Sequence, residues 1–258
     1  MKTITFLNEK GGVGKTTLAM TLACALARDG AMVMILDTDP QATLTYALGL
    51  QKAPHFYNLI QRQEAWGTLA KRVDTERIAP AAKGQLWVLP GDRESRNLTV
   101  ENAMLLHHRL QELTKSFDYV IVDTAPSASL LHILVYIATD YIIYPTQLEH
   151  FSMEGLRESL NVMGAYTGVR QGLGRPAIQM LGIIPTMTRL NTQEHSLNMA
   201  DLQAAGMTVF RPMHNRIVWP ASTSTRQSIF AYDSNTEAAR DAETFFSQVK
   251  AALAATTA

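Results

Sequence analysis

Residues 8–17 read NEKGGVGKTT, and this stretch decides the fold. The apolar run TITFLN precedes the glycines and the helical pattern TTLAMTLACALARDG follows them, so the expected order is strand, glycine loop, helix. That order, with Gly14-Lys15-Thr16 at its end, is typical of a phosphate-binding loop of the form G-x-x-x-x-G-K-[ST]. The spacing departs from this form at one point, because Glu9 stands where the first glycine belongs and a second lysine, Lys10, follows it.

The chemistry expected of this loop is the binding of a nucleoside triphosphate with Mg²⁺. Gly11, Gly12 and Gly14 let backbone N–H groups converge on phosphate oxygens, and the start of the following helix adds further donors. Lys15 is expected to reach the β- and γ-phosphates, and the hydroxyl of Thr16 to ligate Mg²⁺. The alternative is a glycine turn that only joins a strand to a helix, which leaves the Lys-Thr pair after the last glycine unexplained.

Lys10 lies too early in the loop to replace Lys15. The residues alone leave two roles for it. It is either an ordinary solvated lysine, or it supplies positive charge to a nucleotide across a dimer interface, as an arginine finger does in trans.

Composition narrows the functional classes. The 258 residues hold 23 basic and 23 acidic side chains, so net charge gives no argument for nucleic acid or membrane, and any such surface must be a local patch. The single cysteine, Cys24, lies in an apolar helical run and is expected in the core; one cysteine excludes an internal disulfide and a cysteine-cluster metal site within the chain. No signal peptide pattern and no apolar stretch of about 18 residues is found, so a cytoplasmic protein is expected.

Short apolar runs alternate with helix-length segments along the whole chain. This alternation predicts an α/β fold in a single domain over residues 1–258, with a mostly parallel sheet and helices on both faces. The predicted strands are 3–8, 31–37, 85–91, 119–126, 141–146, 178–186 and 207–212. The predicted helices are 16–29, 97–116, 127–138, 150–168, 192–205 and 235–255, and residues 51–84 are the least regular part.

Carboxylates follow two of the predicted strands. LDTDPQ at 36–41 places Asp37 and Asp39 two residues apart, where a regular strand would direct both to one side. Such a pair can orient a water molecule and hold the shell of a metal ion, whereas the alternative is a common Asp-Pro turn. YVIVDTAP at 119–126 ends an apolar strand in Asp123, whose carboxylate is expected to hold Mg²⁺.

Three segments together, 10–17, 37–41 and 119–126, resemble the ParA/MinD family of P-loop NTPases with a deviant Walker A motif, and most closely its short ParA/Soj-like members. The resemblance implies ATP hydrolysis with Mg²⁺ in a face-to-face homodimer, in which Lys10 reaches the nucleotide of the partner subunit. It also implies that Asp39 helps to activate the attacking water, with Asp37 beside it, and that Mg²⁺ is held by Thr16, Asp123 and Asp39.

The resemblance extends to the nucleotide contacts. The phosphate contacts that it implies are Lys10, Gly11, Gly12, Val13, Gly14, Lys15, Thr16 and Thr17. Segments 185–193 and 211–216 resemble those that flank adenine in the family, which implies that Asn191, Pro212, Met213 and His214 lie nearest the base. Relatives often have Pro-Arg-Asn where this chain has Pro212-Met213-His214.

A local excess of positive charge suggests a surface for DNA. Residues 159–232 contain six arginines and two acids, Glu194 and Asp201. Arginine contacts to phosphate give salt-dependent affinity without sequence preference; the alternative is an uneven charge distribution of no consequence. The arginines expected to contact DNA are Arg189, Arg211, Arg216 and Arg226. Because the phosphate loop begins eight residues into the chain, no N-terminal DNA-reading domain is expected.

The leading hypothesis is an ATP-driven positioning switch. ATP closes a homodimer, the basic face holds nucleoid DNA, and a ParB-like or other adaptor protein stimulates hydrolysis and release. The cargo is a plasmid or chromosome, or alternatively a protein assembly such as a microcompartment or receptor array. A MinD-like membrane regulator is the other alternative, but the tail from Glu237 has too few basic residues for a membrane-binding helix. An iron protein of the nitrogenase type is excluded by the position of Cys24.

Overall fold

The computed structural model describes residues 1–99, 101–126, 130–148, 153–188 and 193–256. Its centre is a seven-stranded sheet in the order β3-β4-β2-β5-β1-β6-β7, in which every pair is parallel except β3 with β4. The strands are β1 Lys2–Phe6, β2 Met32–Asp37, β3 Lys71–Arg72, β4 Gln85–Leu89, β5 Tyr119–Asp123, β6 Tyr141–Gln147 and β7 Gln179–Thr186. The predicted α/β class with a mostly parallel sheet is confirmed.

Helices connect the strands across both faces of the sheet. The longer ones are α1 Lys15–Arg28, α6 Leu105–Gln111, α7 Leu130–Ala138, α8 Met153–Gly172, α9 Gln193–Ala204, α10 Val218–Ser224 and α12 Glu237–Ala255. The shorter ones are α2 Thr43–Ala47, α3 His55–Gln61, α4 Trp66–Leu69, α5 Thr75–Ile78 and α11 Ile229–Tyr232, and Arg93–Asn97 form a 3₁₀ turn. None of the helices in the described segments has the length and apolarity to cross a membrane.

The central strands are buried on both faces, which explains their continuous apolar sequence. Ile121 of β5 packs into the core beneath α1 and α12, whereas its neighbours Val120 and Val122 pack into the core on the opposite face with α3, α6 and α7. Helix α12 contributes Phe245 and Phe246 to the first core. Its apolar face is therefore used in packing.

The register of three strands brings the predicted functional segments to one edge. Phe6 of β1 and Asp37 of β2 are both register partners of Asp123 at the end of β5. Because all three strands run in parallel, the loops that follow them leave the same edge of the sheet, where ligands bind in open α/β folds.

Three predicted elements differ from the structure. Residues 207–212 form no strand; they make an isolated bridge between Val209 and Ile183, and Pro212 has no N–H to extend a ladder. The predicted helix over 97–116 is reduced to α6, because the side chain of Asn102 accepts from the N–H of Met104 and starts the helix late. Residues 51–84 contain α3, α4, α5 and the antiparallel edge strand β3.

Arg170 in α8 is fully buried, although its charge was counted as part of a basic surface. Its guanidinium donates to the carbonyl oxygens of Tyr136 (3.2 Å), Ile137 (2.9 Å) and Thr139 at the end of α7, and lies 3.7 Å from the carboxylate of Asp140. These carbonyls have no further helical partner, so Arg170 satisfies them and joins α8 to α7.

We expect the substitution Arg170→Met to lower the free energy of unfolding by about 3 kcal/mol, because it leaves the buried carbonyls at the end of α7 without their donor. Chemical denaturation measures this loss. Arg157→Met, an exposed position of the same helix, is the control and should change stability by less than about 0.5 kcal/mol. Equal stability of the two variants would contradict the structural role of Arg170.

Candidate nucleotide site

The glycine loop adopts backbone conformations that require glycine at two positions. Gly12 has φ +73° and Gly14 has φ +86°, both in the left-handed region that side chains disfavour. Gly14 immediately precedes α1, so the free N–H groups of the first helical turn face the loop. The loop thus has the geometry of an anion-binding concavity.

Asn8 and Lys15 hold the loop from within. Asn8 donates through Nδ2 to the carbonyl of Pro145 (2.7 Å) and accepts from the N–H of Lys10 (2.8 Å). The ammonium of Lys15 donates to the carbonyls of Asn8 (2.8 Å) and Lys10 (2.9 Å). Burial lowers the pKa of Lys15, and the carboxylates of Asp123 and Asp39 act in the opposite direction. Asn8 was assigned no role from the sequence, although it ends the apolar run that leads into the glycines.

The ends of β6 and β7 clamp the loop from the other side. Thr186 donates through its hydroxyl to the carbonyl of Val13 (2.9 Å), and the methyl of Thr186 would lie 3.6 Å from a Cβ at Gly14. Gln147 donates through Nε2 to the carbonyl of Gly12 (3.0 Å). Neither Thr186 nor Gln147 was identified from the sequence, because each lies more than 130 residues from the loop.

Asp123 carries a buried carboxylate at the end of β5. The side chain is fully buried, and neither of its carboxylate oxygens has a hydrogen-bond partner within the described segments. Burial raises its pKa well above the usual value, and the neighbouring Asp37 adds to the rise; the Thr16 hydroxyl and the Lys15 ammonium oppose it. An unsatisfied carboxylate beside a threonine hydroxyl offers the hard oxygen ligands that suit Mg²⁺.

Few protein ligands are needed for such a site. The described residues include no cluster of three or more His, Cys, Asp or Glu side chains arranged for a metal ion. Mg²⁺ typically takes only one or two carboxylates from the protein and completes its octahedron with water and phosphate oxygens. Asp123 and Thr16 therefore fit Mg²⁺ bound together with a nucleotide.

Asp37 does not lie in the pocket, in contrast to its predicted place beside the reacting water. Its carboxylate is fully buried and accepts from the N–H (2.8 Å) and hydroxyl (2.6 Å) of Thr45 and from the N–H of Asp39 (3.2 Å). Burial raises its pKa to about 6. Strand β2 ends at Asp37, so the same-side rule for residues two apart does not reach Asp39. Asp37 fixes the turn that leads into α2.

Asp39 lies in that turn and lines the phosphate pocket. Its Oδ1 accepts from the N–H of Gln41 (2.8 Å), and its carbonyl accepts from the N–H of Ala42 (2.8 Å). Ala42 is buried with φ +55°, a left-handed conformation that costs a residue with a Cβ roughly 1 kcal/mol. This strain follows from the turn that presents Asp39 to the loop.

Two adjoining pockets form the site. The first, about 300 Å³, is lined by Gly11, Gly12, Val13, Gly14, Lys15, Thr16, Thr17, Asp39, Thr43, Thr124, Pro126 and Met187. The second, about 490 Å³, is lined by Gly14, Thr17, Leu18, Thr186, Met187, Met213, His214, Asn215, Arg216, Trp219, Pro220, Thr223 and Ser224. The two share Gly14, Thr17 and Met187, so a polar pocket continues into a mostly apolar one.

The predicted base contacts fall unevenly around the second pocket. Met213 and His214 line it, Pro212 is absent from its described wall, and Asn191 lies outside the described residues. Trp219 and Pro220 of α10 were missed. An aromatic residue followed by proline, separated from the RPMHNR segment by two residues, is the signal that could have identified them.

The predicted basic surface is smaller than the sequence suggested. Arg170 is buried and Arg175 is paired with Asp140 (3.0 Å), so neither contributes to a DNA-binding face. Arg216 lines the second pocket and pairs with Asp241 (3.0 Å).

The other predicted arginines lie apart from these pairs. Arg211 is exposed, and Arg226 is exposed with its guanidinium 4.9 Å from the ring centroid of Tyr46. Arg189 lies outside the described residues. Lys10 is exposed at the mouth of the loop and is not part of the described pocket walls of its own chain.

Comparison with known proteins gives consistent results. A family model described as an AAA domain, AAA_31, matches residues 1–171. The chain is 33% identical over 190 residues to the chromosome-partitioning ATPase Soj of Thermus thermophilus, covering 72% of this chain and 70% of the relative. It is 32% identical over 171 residues to the sporulation initiation inhibitor protein Soj of Bacillus subtilis, where it covers 63% of this chain and 64% of the relative, slightly less than two thirds of that protein.

Solved structures show the same fold. The ATP complex of a McdA variant from Cyanothece superposes with a TM-score of 0.81 at 23% identity, covering 98% of this chain and 96% of that one. A plasmid partition protein from Borrelia burgdorferi superposes with a TM-score of 0.72 at 22% identity, covering 98% and 97%. At these identities the likeness concerns the fold.

We expect Asp123→Asn to raise the stability of the protein without ligand at pH 7 by on the order of 1 kcal/mol, because it removes a buried and unsatisfied charge. A carboxyl whose pKa is raised by folding destabilises the fold when ionised, so this gain should shrink as the pH falls from 7 towards 4 and the wild-type carboxyl becomes protonated. Thermal unfolding across this pH range measures the effect.

Asp92→Asn is the matched control. Asp92 is similarly buried, but its two oxygens accept from the N–H groups of Tyr57 (2.9 Å) and Ser95 (2.7 Å). An asparagine satisfies only one of these donors, so this variant should lose about 1–2 kcal/mol. Destabilisation by both substitutions would show that Asp123 is satisfied within the protein.

Proposed function

The chain belongs to the ParA/MinD family of P-loop partition ATPases, and on this premise we propose that it is an ATP-driven switch that partitions DNA. ATP with Mg²⁺ closes a homodimer that binds duplex DNA without sequence preference. An adaptor protein of the ParB kind stimulates hydrolysis, and the dimer then releases the DNA. The segregated cargo is a plasmid or chromosome.

The observation that carries the proposal is the continuity of the two pockets. A nucleotide has a highly charged end and an apolar end, and the site offers matching surroundings in the same order. The triphosphate fits the glycine loop with Lys15 and the start of α1, and the base fits between Met213 and the Trp219 and Pro220 side of the second pocket.

Different residues of the chain have separate roles in the proposed hydrolysis of ATP. Lys15 supplies positive charge at the centre of the loop, and Asp39, at the wall of the phosphate pocket, orients the attacking water. Asp123 and Thr16 would hold Mg²⁺, which would supply positive charge to the phosphate groups. Asp37 acts through Asp39, whose N–H and turn it fixes.

The proposed dimer depends on Lys10. Its side chain projects at the exposed mouth of the loop, outside the described pocket walls. From this position it is suited to contact the phosphates of a nucleotide bound to a facing subunit. ATP binding then favours dimer formation, because the bound triphosphate supplies the negative charge that attracts the partner's lysine.

The DNA-binding surface is supported by Arg211 and Arg226, which are both exposed. Arg216 is not assigned to the DNA-binding surface, because it pairs with Asp241 and lines the base pocket. The membrane alternative has no comparable support, because α12 directs its apolar residues Phe245, Phe246, Val249 and Leu253 into the core.

We expect Lys10→Ala to bind ATP with Mg²⁺ yet remain monomeric, whereas the wild type dimerises with ATP and not with ADP. Size-exclusion chromatography with light scattering measures the mass, and calorimetry measures ATP binding. Lys83→Ala removes another exposed lysine and should dimerise normally. Dimerisation of the Lys10 variant would rule out the trans role.

We expect DNA affinity to appear only with ATP and to fall with added salt. Arg211→Glu and Arg226→Glu should each weaken binding to a random duplex severalfold and reduce the salt slope by about one. Fluorescence anisotropy measures both quantities. Arg72→Glu, on edge strand β3, is the control that should bind as the wild type does. Unchanged affinity in both test variants would place the DNA surface elsewhere.

A further inference from the structure

His214, Arg216 and Asp241 form a polar cluster in the wall of the apolar pocket. One oxygen of Asp241, Oδ2, lies 3.1 Å from Nδ1 of His214, 3.4 Å from the N–H of His214 and 3.0 Å from Nε of Arg216. The side chain of Asp241 is only 14% exposed, and that of His214 is 27% exposed. Asp241 belongs to α12, so the last helix of the chain reaches the site through this carboxylate.

The position of His214 is fixed on both sides along the backbone. Met213 donates its N–H to the carbonyl of Pro185 (2.8 Å), and Asn215 donates to the carbonyl of Thr188 (3.0 Å). Trp219 donates its indole N–H to the carbonyl of His214 itself (3.2 Å). A side chain presented by such a restrained segment can discriminate between ligands, because it cannot move away from an unfavourable contact.

The hydrogen bonds assign the tautomer of His214. Oδ2 of Asp241 accepts hydrogen bonds from the N–H of His214 and from Nε of Arg216, so it acts as an acceptor in this cluster. Nδ1 must therefore carry the hydrogen that it shares with Asp241. In a neutral ring this leaves Nε2 with a lone pair, and no described residue donates to it. The Nδ1 edge faces Asp241 and His214 lines the second pocket, so Nε2 is the ring nitrogen that remains for a ligand there.

We infer that His214 selects the base of the nucleotide through Nε2, and that Asp241 is the positioning residue that fixes its tautomer. This inference rests on the proposed function. A hydrogen-bond acceptor in the base pocket matches the exocyclic amino group of adenine, which donates. A 6-oxopurine presents a carbonyl oxygen at the same position, and two acceptors then face each other without a hydrogen. Adenine nucleotides bind in preference to 6-oxopurine nucleotides for this reason.

The test compares ATP with inosine triphosphate, which differs from ATP in its donor and acceptor pattern at the 6-position and N1. Calorimetric titration with Mg²⁺ should give the wild type a preference for ATP of about tenfold, the usual effect of one unmatched buried polar group. His214→Phe keeps a ring of similar shape and removes the acceptor, so the ratio of the two affinities should approach one. Asp241→Asn should reduce the ratio partly, and Glu243→Gln, the same change on the same helix at a residue that pairs with Arg28, should leave it unchanged.

A ¹⁵N spectrum of the histidine rings provides a second measurement that does not depend on the variants folding. In the wild type, His214 should show a protonated Nδ1 and an unprotonated Nε2 whose shift moves with ATP and not with inosine triphosphate. A ring protonated at Nε2, or an ATP preference that survives His214→Phe, would overturn the inference. If neither nucleotide binds, the proposed function fails; if both bind equally well to the wild type, only the base selection fails.

Discussion

Two carboxylates buried at the ends of neighbouring central strands constrain the rest of this structure. Parallel register places the carboxylates of Asp37 and Asp123 side by side on β2 and β5, in a part of the sheet closed to solvent. The carboxylate of Asp37 is satisfied by Thr45 and the turn it starts, whereas neither oxygen of Asp123 has a hydrogen-bond partner among the described residues. The glycine loop follows β1 at the same edge, and the ammonium of the buried Lys15 acts against the rise in the pKa of Asp123. In the function we propose, Mg²⁺ bound with the nucleotide would supply the positive charge that this carboxylate lacks, and the bound ligand would stabilise the fold.

The parts of this site that local sequence determines could be predicted. One continuous strand–loop–helix unit contains Gly12, Gly14, Lys15 and Thr16. An apolar strand that ends in aspartate likewise shows, from its sequence alone, that the carboxylate lies at the carboxyl end of the strand. The α/β alternation was readable for the same reason, because β1, β2 and β5 are buried on both faces and lack polar interruptions.

The remaining parts depend on contacts between distant segments. Thr186 meets the loop across 173 residues, and Asp241 meets His214 across 27, so no local pattern marks either of them. Asp37 was placed in the pocket because the spacing rule assumes that a strand continues, whereas β2 ends there. Arg170 was counted as surface charge because composition does not distinguish a buried guanidinium from a solvated one.

The order of the strands has a consequence for how the chain reaches this state. Strand β5 pairs with both β1 and β2, yet it follows β2 by more than 80 residues, so the two N-terminal strands cannot complete the sheet until residues 119–123 have been inserted between them. During synthesis, a chain of about 110 residues carries two apolar strands with open hydrogen-bonding edges, the kind of species that pairs with other chains. The phosphate loop gains its contacts with Pro145 and Thr186 only after those later segments have been made, and the speed at which β5 is inserted limits how long these edges stay exposed.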